Sequence, residues 1–150
     1  MSETTADRTV LNELCGGQQL AVLATNAGDA PYTSLVAFAA TPDLRLFYFI
    51  TPRSTRKWSH LETNRQVSLL IDNRHNTEAD FSQAAAATVL GSAGELHGQA
   101  KDIALALYLA KHPHLTGFAN TPGCALLQIQ VASIYLVTRF QNISEYHFNP

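Results

Sequence analysis

Leu46-Phe47-Tyr48-Phe49-Ile50-Thr51-Pro52-Arg53-Ser54-Thr55-Arg56-Lys57-Trp58, with Gln66-Val67-Ser68-Leu69-Leu70-Ile71-Asp72 behind it, is the stretch on which the fold turns. Both apolar runs have the length and composition of strands and are bounded by turn formers. Between them Ser54 or Thr55 offers an N-cap oxygen, Trp58 and Leu61 lie three apart on one helical face, and Asn64 suits a left-handed helix end. The pattern predicts strand, short helix, strand.

Charge at the head of that helix runs against the usual preference. Arg56 and Lys57 fall in its first turn, where unpaired backbone N–H groups already carry partial positive charge and a cation costs about 0.3–1 kcal/mol. Arg53 adds to the crowding, and no acid follows before Glu62. An anion resting on the N–H groups, the hydroxyls and the two cations relieves the conflict, and phosphate is the usual occupant of such a place. A solvated basic turn is the other reading.

Outward from this stretch the chain reads as short strands. Residues 19–25 and 32–40 form a hairpin through the polar turn Asn26-Ala27-Gly28-Asp29, and 45–50 follows after Thr41-Pro42-Asp43. Beyond 66–72 comes a polar loop over 73–80, then a strand over 86–96 in which Gly91 and Gly94 signal a bulge or barrel corner. A last strand covers 124–137. Val10, Leu11 and Leu14, stopped by Gly16-Gly17, make a first helix that caps one end of the barrel; residues 102–111, closed by Lys111-His112-Pro113, make another, apolar nearly all round. Six antiparallel strands with flanking helices close best as a small Greek-key barrel, a mainly β fold.

Composition is consistent with this. A chain of 150 residues, 46% hydrophobic and 15% charged, suffices for one domain, 1–150, whose core needs no staple. A net charge of -2 provides no field for nucleic acid or acidic lipid. Cys15 and Cys124 stand in no metal-binding spacing and read as reduced thiols. Residues 1–7 lack the basic start and apolar centre of a secretory signal, and no run approaches the roughly 20 apolar residues of a membrane span. The expectation is a cytoplasmic protein. His112 and His114 read as solvated histidines at a helix end in preference to a metal site, and Trp58 as packing.

The motif Ile50-Thr51, then Thr55-Arg56-Lys57, then Leu61-Glu62-Thr63-Asn64-Arg65-Gln66-Val67-Ser68-Leu69-Leu70 resembles that of the flavin-binding split barrels related to pyridoxamine 5'-phosphate oxidase. Gly28-Asp29-Ala30-Pro31-Tyr32 and the segment from Thr88 to Leu96 look like further parts of the same pattern. The resemblance implies a six-stranded split barrel that binds flavin mononucleotide (FMN) between the two subunits of a homodimer and acts as a flavin oxidoreductase. It implies that Arg56 and Lys57 grip the phosphate, that Thr51 and Thr55 add hydrogen bonds, that Ile50 at the strand end also lies against the cofactor, and that Ser34, Leu35 and Val36 offer backbone to the flavin edge. Gln83 stands where members of the family can offer a side-chain amide to the partner's flavin, and Arg139-Phe140 reads as a surface position in preference to one that reaches it. Two basic positions of the family's second strand are Ser34 and Ala39 here, so that either Arg53 compensates or cofactor affinity is weaker. The C-terminal Arg-x-His segment of the oxidase proper is absent, so vitamin B6 oxidation is not expected. A non-catalytic flavin-binding or flavin-sensing module and a heme-binding or heme-degrading relative are the alternatives, and a deazaflavin is the alternative cofactor.

Overall fold

A computed structural model of the chain describes residues 4–28 and 30–149; Asp29 of the predicted hairpin turn and residues 1–3 of the segment read as lacking a secretory signal lie outside them. In order come α1 (Thr5–Gly17), β1 (Leu20–Thr25), β2 (Tyr32–Ala40), β3 (Leu46–Pro52), α2 (Arg56–Thr63), β4 (Gln66–Asp72), α3 (Asp80–Gln83), β5 (Ala85–Glu95), α4 (Gly98–Lys111), a 3-10 turn (Pro113–Leu115), α5 (Thr116–Ala119), β6 (Cys124–Thr138) and β7 (Asn142–His147). The sheet order is β3-β2-β1-β4-β5-β6-β7, and β3 also pairs with β6. That second pairing closes the first six strands into an antiparallel barrel.

Alternation along the strands decides what fills it. Leu23, Phe38, Phe47, Phe49, Leu69, Ile71, Val89 and Ile129 turn inward and are fully buried, and α1 adds Leu11, Leu14 and Cys15 to the same core. A second apolar layer lies outside the barrel, where Ala104 and Tyr108 of α4 cover Ala39, Tyr48, Ile50, Cys124 and Leu126. The predicted irregularity in β5 is real: register shifts between Leu90 and Gly91, leaving Ala132 of β6 unopposed.

Four local expectations change. Residues 142–147, which fall after the last expected strand, form β7, because β6 outruns β3 and its later half, 133–138, has an edge to fill. Asp80, assigned to a loop, starts α3 and accepts from the backbone N–H of His75 and Thr77. The second long helix starts at Gly98, ahead of the expected 102. Asn64 ends α2 in extended backbone, φ -142, with its Oδ1 accepting from Gln66 N–H, so a side-chain turn replaces the left-handed cap.

Three aspartates couple this framework to pH. Ser144 of β7 donates to Asp7 of α1 at 2.8 Å, the Thr41 hydroxyl donates to Asp43 at 2.7 Å, and backbone N–H groups hold Asp80; each carboxyl sits below the ordinary 3.8 for these reasons. A folded-state pKa below the unfolded one adds stability that is complete above about 3.8 and disappears as pH falls through the folded values. Melting temperature is therefore expected to hold from neutrality to about pH 5 and to drop below pH 4, and Asp7→Asn is expected to shallow that drop.

Candidate functional site

β2 serves two neighbours in turn. Residues 32–37 pair with β1, whereas register with β3 runs only from Phe38↔Phe49 to Ala40↔Phe47. β3 meanwhile stays on β6 as far as Pro52. The strands therefore part, and over residues 32–37 the β2 ladder edge that faces away from β1 meets no strand among the described residues. Unpaired ladder groups of this kind are ready to accept another molecule's hydrogen bonds.

α2 stands at this opening. It follows directly from the end of β3, and its body is tied to the other two strands: His60 Nδ1 lies 3.0 Å from the Thr25 hydroxyl of β1, and its ring meets Tyr32 of β2 edge-on at 5.7 Å. The Arg56 guanidinium lies over the same Tyr32 ring, 5.3 Å from its centre. None of Thr25, Tyr32 and His60 was legible as a site residue, because each acquires its place only when the β1–β2 hairpin end meets the helix; the apolar-aromatic start of β2 was the available signal.

The head of α2 is built by two threonines. Thr51, fully buried, shares a 2.9 Å hydrogen bond with Thr55, and both hydroxyls reach the Pro52 carbonyl, at 3.1 and 3.0 Å. Thr55, not Ser54, is the N-cap and accepts from Trp58 N–H at 3.3 Å. Arg56 and Lys57 occupy the first turn, which holds no acid, and neither has a carboxylate in ion-pair range among the described residues. Lys57 is half-buried, and desolvation pulls its ammonium below the ordinary lysine value. Arg53 does not join them: its guanidinium is paired with Glu95 and lies over Trp58 at 5.4 Å, so the compensating third cation is engaged elsewhere.

On β2 the three expected residues part company. Ser34 is half-buried, with its hydroxyl oxygen enclosed and without a hydrogen-bond partner among the described residues. Leu35 is 66% exposed, while Val36 turns into the core. Ile50 faces the layer under α4. Val36 and Ile50 thus present only backbone to the opening. Ala39 lies in that same outer layer, away from it. The histidine pair is also rearranged: His112 is 1% exposed, not solvated, and its Nε2–H donates to the Phe38 carbonyl at 2.7 Å. Among the described residues no three His, Cys, Asp or Glu side chains gather to hold a metal ion.

The sequence model of the pyridoxamine 5'-phosphate oxidase family matches residues 8–138. The chain belongs to this family. No curated protein matches it in sequence. Solved structures of like fold include a heme binding protein from Mycobacterium smegmatis (TM-score 0.83, 13% identity, covering 98% of this chain and 60% of that one). The chain thus spans about three fifths of that protein. Others are HutZ, a heme storage protein from Vibrio cholerae (TM-score 0.71, 17% identity, 82% and 88% covered), and an FAD-binding protein from Mesorhizobium loti (TM-score 0.65, 16% identity, 91% and 95% covered). At these identities the likeness establishes the family's barrel and nothing finer. Among the described residues no helix is long and apolar enough to cross a membrane.

Proposed function

We propose that this family member binds FMN in the opening between β2 and the head of α2, and that it works as a flavin-dependent oxidoreductase. One observation carries the reading: two adjacent cations at a helix N-terminus, one of them half-buried, with no carboxylate opposite them among the described residues. The residues present fit the group. Arg56, Lys57 and the first-turn N–H groups suit a phosphate dianion. The Ser34 hydroxyl, whose enclosure without a partner costs about 1–3 kcal/mol, and the unpaired edge of β2 at Ser34, Leu35 and Val36 suit the polar rim of a flavin. Thr51 and Thr55 hold the helix head in place. Bound flavin supplies hydride and electron transfer, so the side chains bind, orient and shield, and none need act as acid or base.

A second copy of the chain completes the reading. Leu20, Leu35, Leu70 and Leu90 are all more than a third exposed, and they point outward from β1, β2, β4 and β5. Val22 joins them, paired with both Leu35 and Leu70. An apolar sheet face of this kind fits a homodimer, with the cofactor at its margin.

The structural neighbours that bind heme supply the competing reading. Purified protein is expected to be yellow, to show flavin absorbance and to elute at twice the chain mass. Reduction by NADH or NADPH followed by reoxidation separates an enzyme from a flavin-sensing module. A Soret band in place of the flavin bands would refute the flavin assignment.

A further inference from the structure

Lys111 is one of three lysines in the chain, with Lys57 and Lys101. It ends α4, and its Nζ donates to the Cys15 carbonyl in the last turn of α1 at 3.2 Å while sitting 3.8 Å above the centre of the Phe38 ring. No carboxylate lies within ion-pair distance of it among the described residues. Beside it a cleft of about 600 Å³ runs between α1, the β2–β3 turn and α4, walled by Ala39, Pro42, Leu44 and Leu107, with Asn12 and Thr41 as its polar groups. None of these residues belongs to the flavin site proposed above.

The surroundings raise the share of neutral amine. Burial brings Lys111 down to about 8. Only the Cys15 carbonyl and the Phe38 ring favour its charge, and no carboxylate does so among the described residues: the Cys15 thiol is pushed up to about 12 by burial and is neutral, with Arg8 acting on the same thiol, and His112 and His114 lie on the following residues. At pH 7 about a tenth of Lys111 is free amine, against roughly one part in three thousand for an ordinary lysine. Buried lysines next to a cavity are the ones that condense with carbonyl compounds.

We propose that the cleft between α1 and α4 is a second binding site, which takes a small aldehyde with an apolar tail and holds it as an imine of Lys111. The amine lone pair forms the new C–N bond, the carbonyl oxygen leaves as water with the two amine protons, and no electrons are exchanged. The iminium form, with one proton added, keeps an N–H for the Cys15 carbonyl, while the alkyl tail lies on the alanine, proline and leucine walls.

Full-length protein treated with butyraldehyde and cyanoborohydride near neutral pH, followed by peptide mass mapping, tests this. Lys111 is expected to be alkylated about tenfold faster than Lys101 or more. The preference should grow from formaldehyde to butyraldehyde, because only the longer aldehyde uses the walls. Ala110→Phe, which narrows the cleft from an exposed position of α4 without touching the amine, should slow Lys111 alone. Equal rates at Lys101 and Lys111, or a fast Lys111 with no chain-length preference, would overturn the site. The chain-length comparison needs no variant, and neither result depends on whether flavin binds.

Discussion

Changing Arg56 and Lys57 together to alanine is expected to weaken FMN binding about a hundredfold or more while leaving the barrel folded. Each cation on a phosphate makes charge-assisted hydrogen bonds that contribute roughly 1.5–3 kcal/mol, and about 1.4 kcal/mol is a factor of ten. Neither side chain has a carboxylate partner among the described residues, so stability loses no ion pair with them. Removing positive charge from the first turn of α2 is mildly favourable, by about 0.3–1 kcal/mol per residue. Loss of the Arg56 contact with the Tyr32 ring offsets that gain, so the apo variant should melt close to the wild-type temperature. Fluorescence titration with FMN and a thermal melt of the apo form measure both effects. Unchanged affinity in a folded double variant would remove the phosphate site, and with it the flavin reading.

The largest effect on stability is expected at Gly91. A Cβ there would lie 2.4 Å from the Gln130 carbonyl oxygen and 2.8 Å from Ile129 Cγ2. The first neighbour is backbone in the β5–β6 ladder beside the bulge, so relief requires the ladder itself to move. Gly91→Ala should cost about 3–4 kcal/mol, a large share of the roughly 5–15 kcal/mol that holds a domain together, and Gly91→Val more. Gly94→Ala provides the comparison. Its Cβ would meet only the end of the Arg65 side chain, at 3.3 Å, which can swing away, so the change should stay within about 1 kcal/mol. Urea midpoints of the two variants decide the point; similar midpoints would mean that the bulge tolerates a side chain.

These two cases also show where local pattern is enough. The two-residue period separates Phe47 and Phe49, which the fold turns into the barrel, from Tyr48 and Ile50, which it turns toward the layer under α4, and the strand itself was legible from its apolar run. Gly91 in an otherwise apolar strand announced the bulge before any partner was known. β7 could not be seen in this way. Asn142, Ser144 and His147 carry no apolar run, and the segment is a strand only because half of β6 lies bare beside it. α3 is likewise held by Asp80 reaching back to His75 and Thr77, a contact that leaves no periodic trace.

At the candidate site the division follows the same line. Arg56, Lys57 and Thr55 stood out because cations at a helix head conflict with the local field, and that conflict is written in neighbouring residues. Tyr32, Thr25 and His60 were hidden, since each is ordinary in its own segment and becomes part of the site only where α2 meets the hairpin end. Arg53 shows the reverse: it looked like a third cation for the same anion until Glu95, 42 residues away, was found to hold it.

By itself the sequence determined the strands, the short helix between β3 and β4, the bulge glycine and the pair of cations, all of which depend on side-chain period and on forces acting within a few residues. Tertiary structure alone decided that β2 pairs with β3 only from Phe38 onward, that Ser34 is enclosed beside the gap, and that Arg56 and Lys57 have no carboxylate partner among the described residues. Those outcomes depend on where the chain returns after closing the barrel, and hydrogen bonding and charge pairing across such distances leave no mark on local pattern.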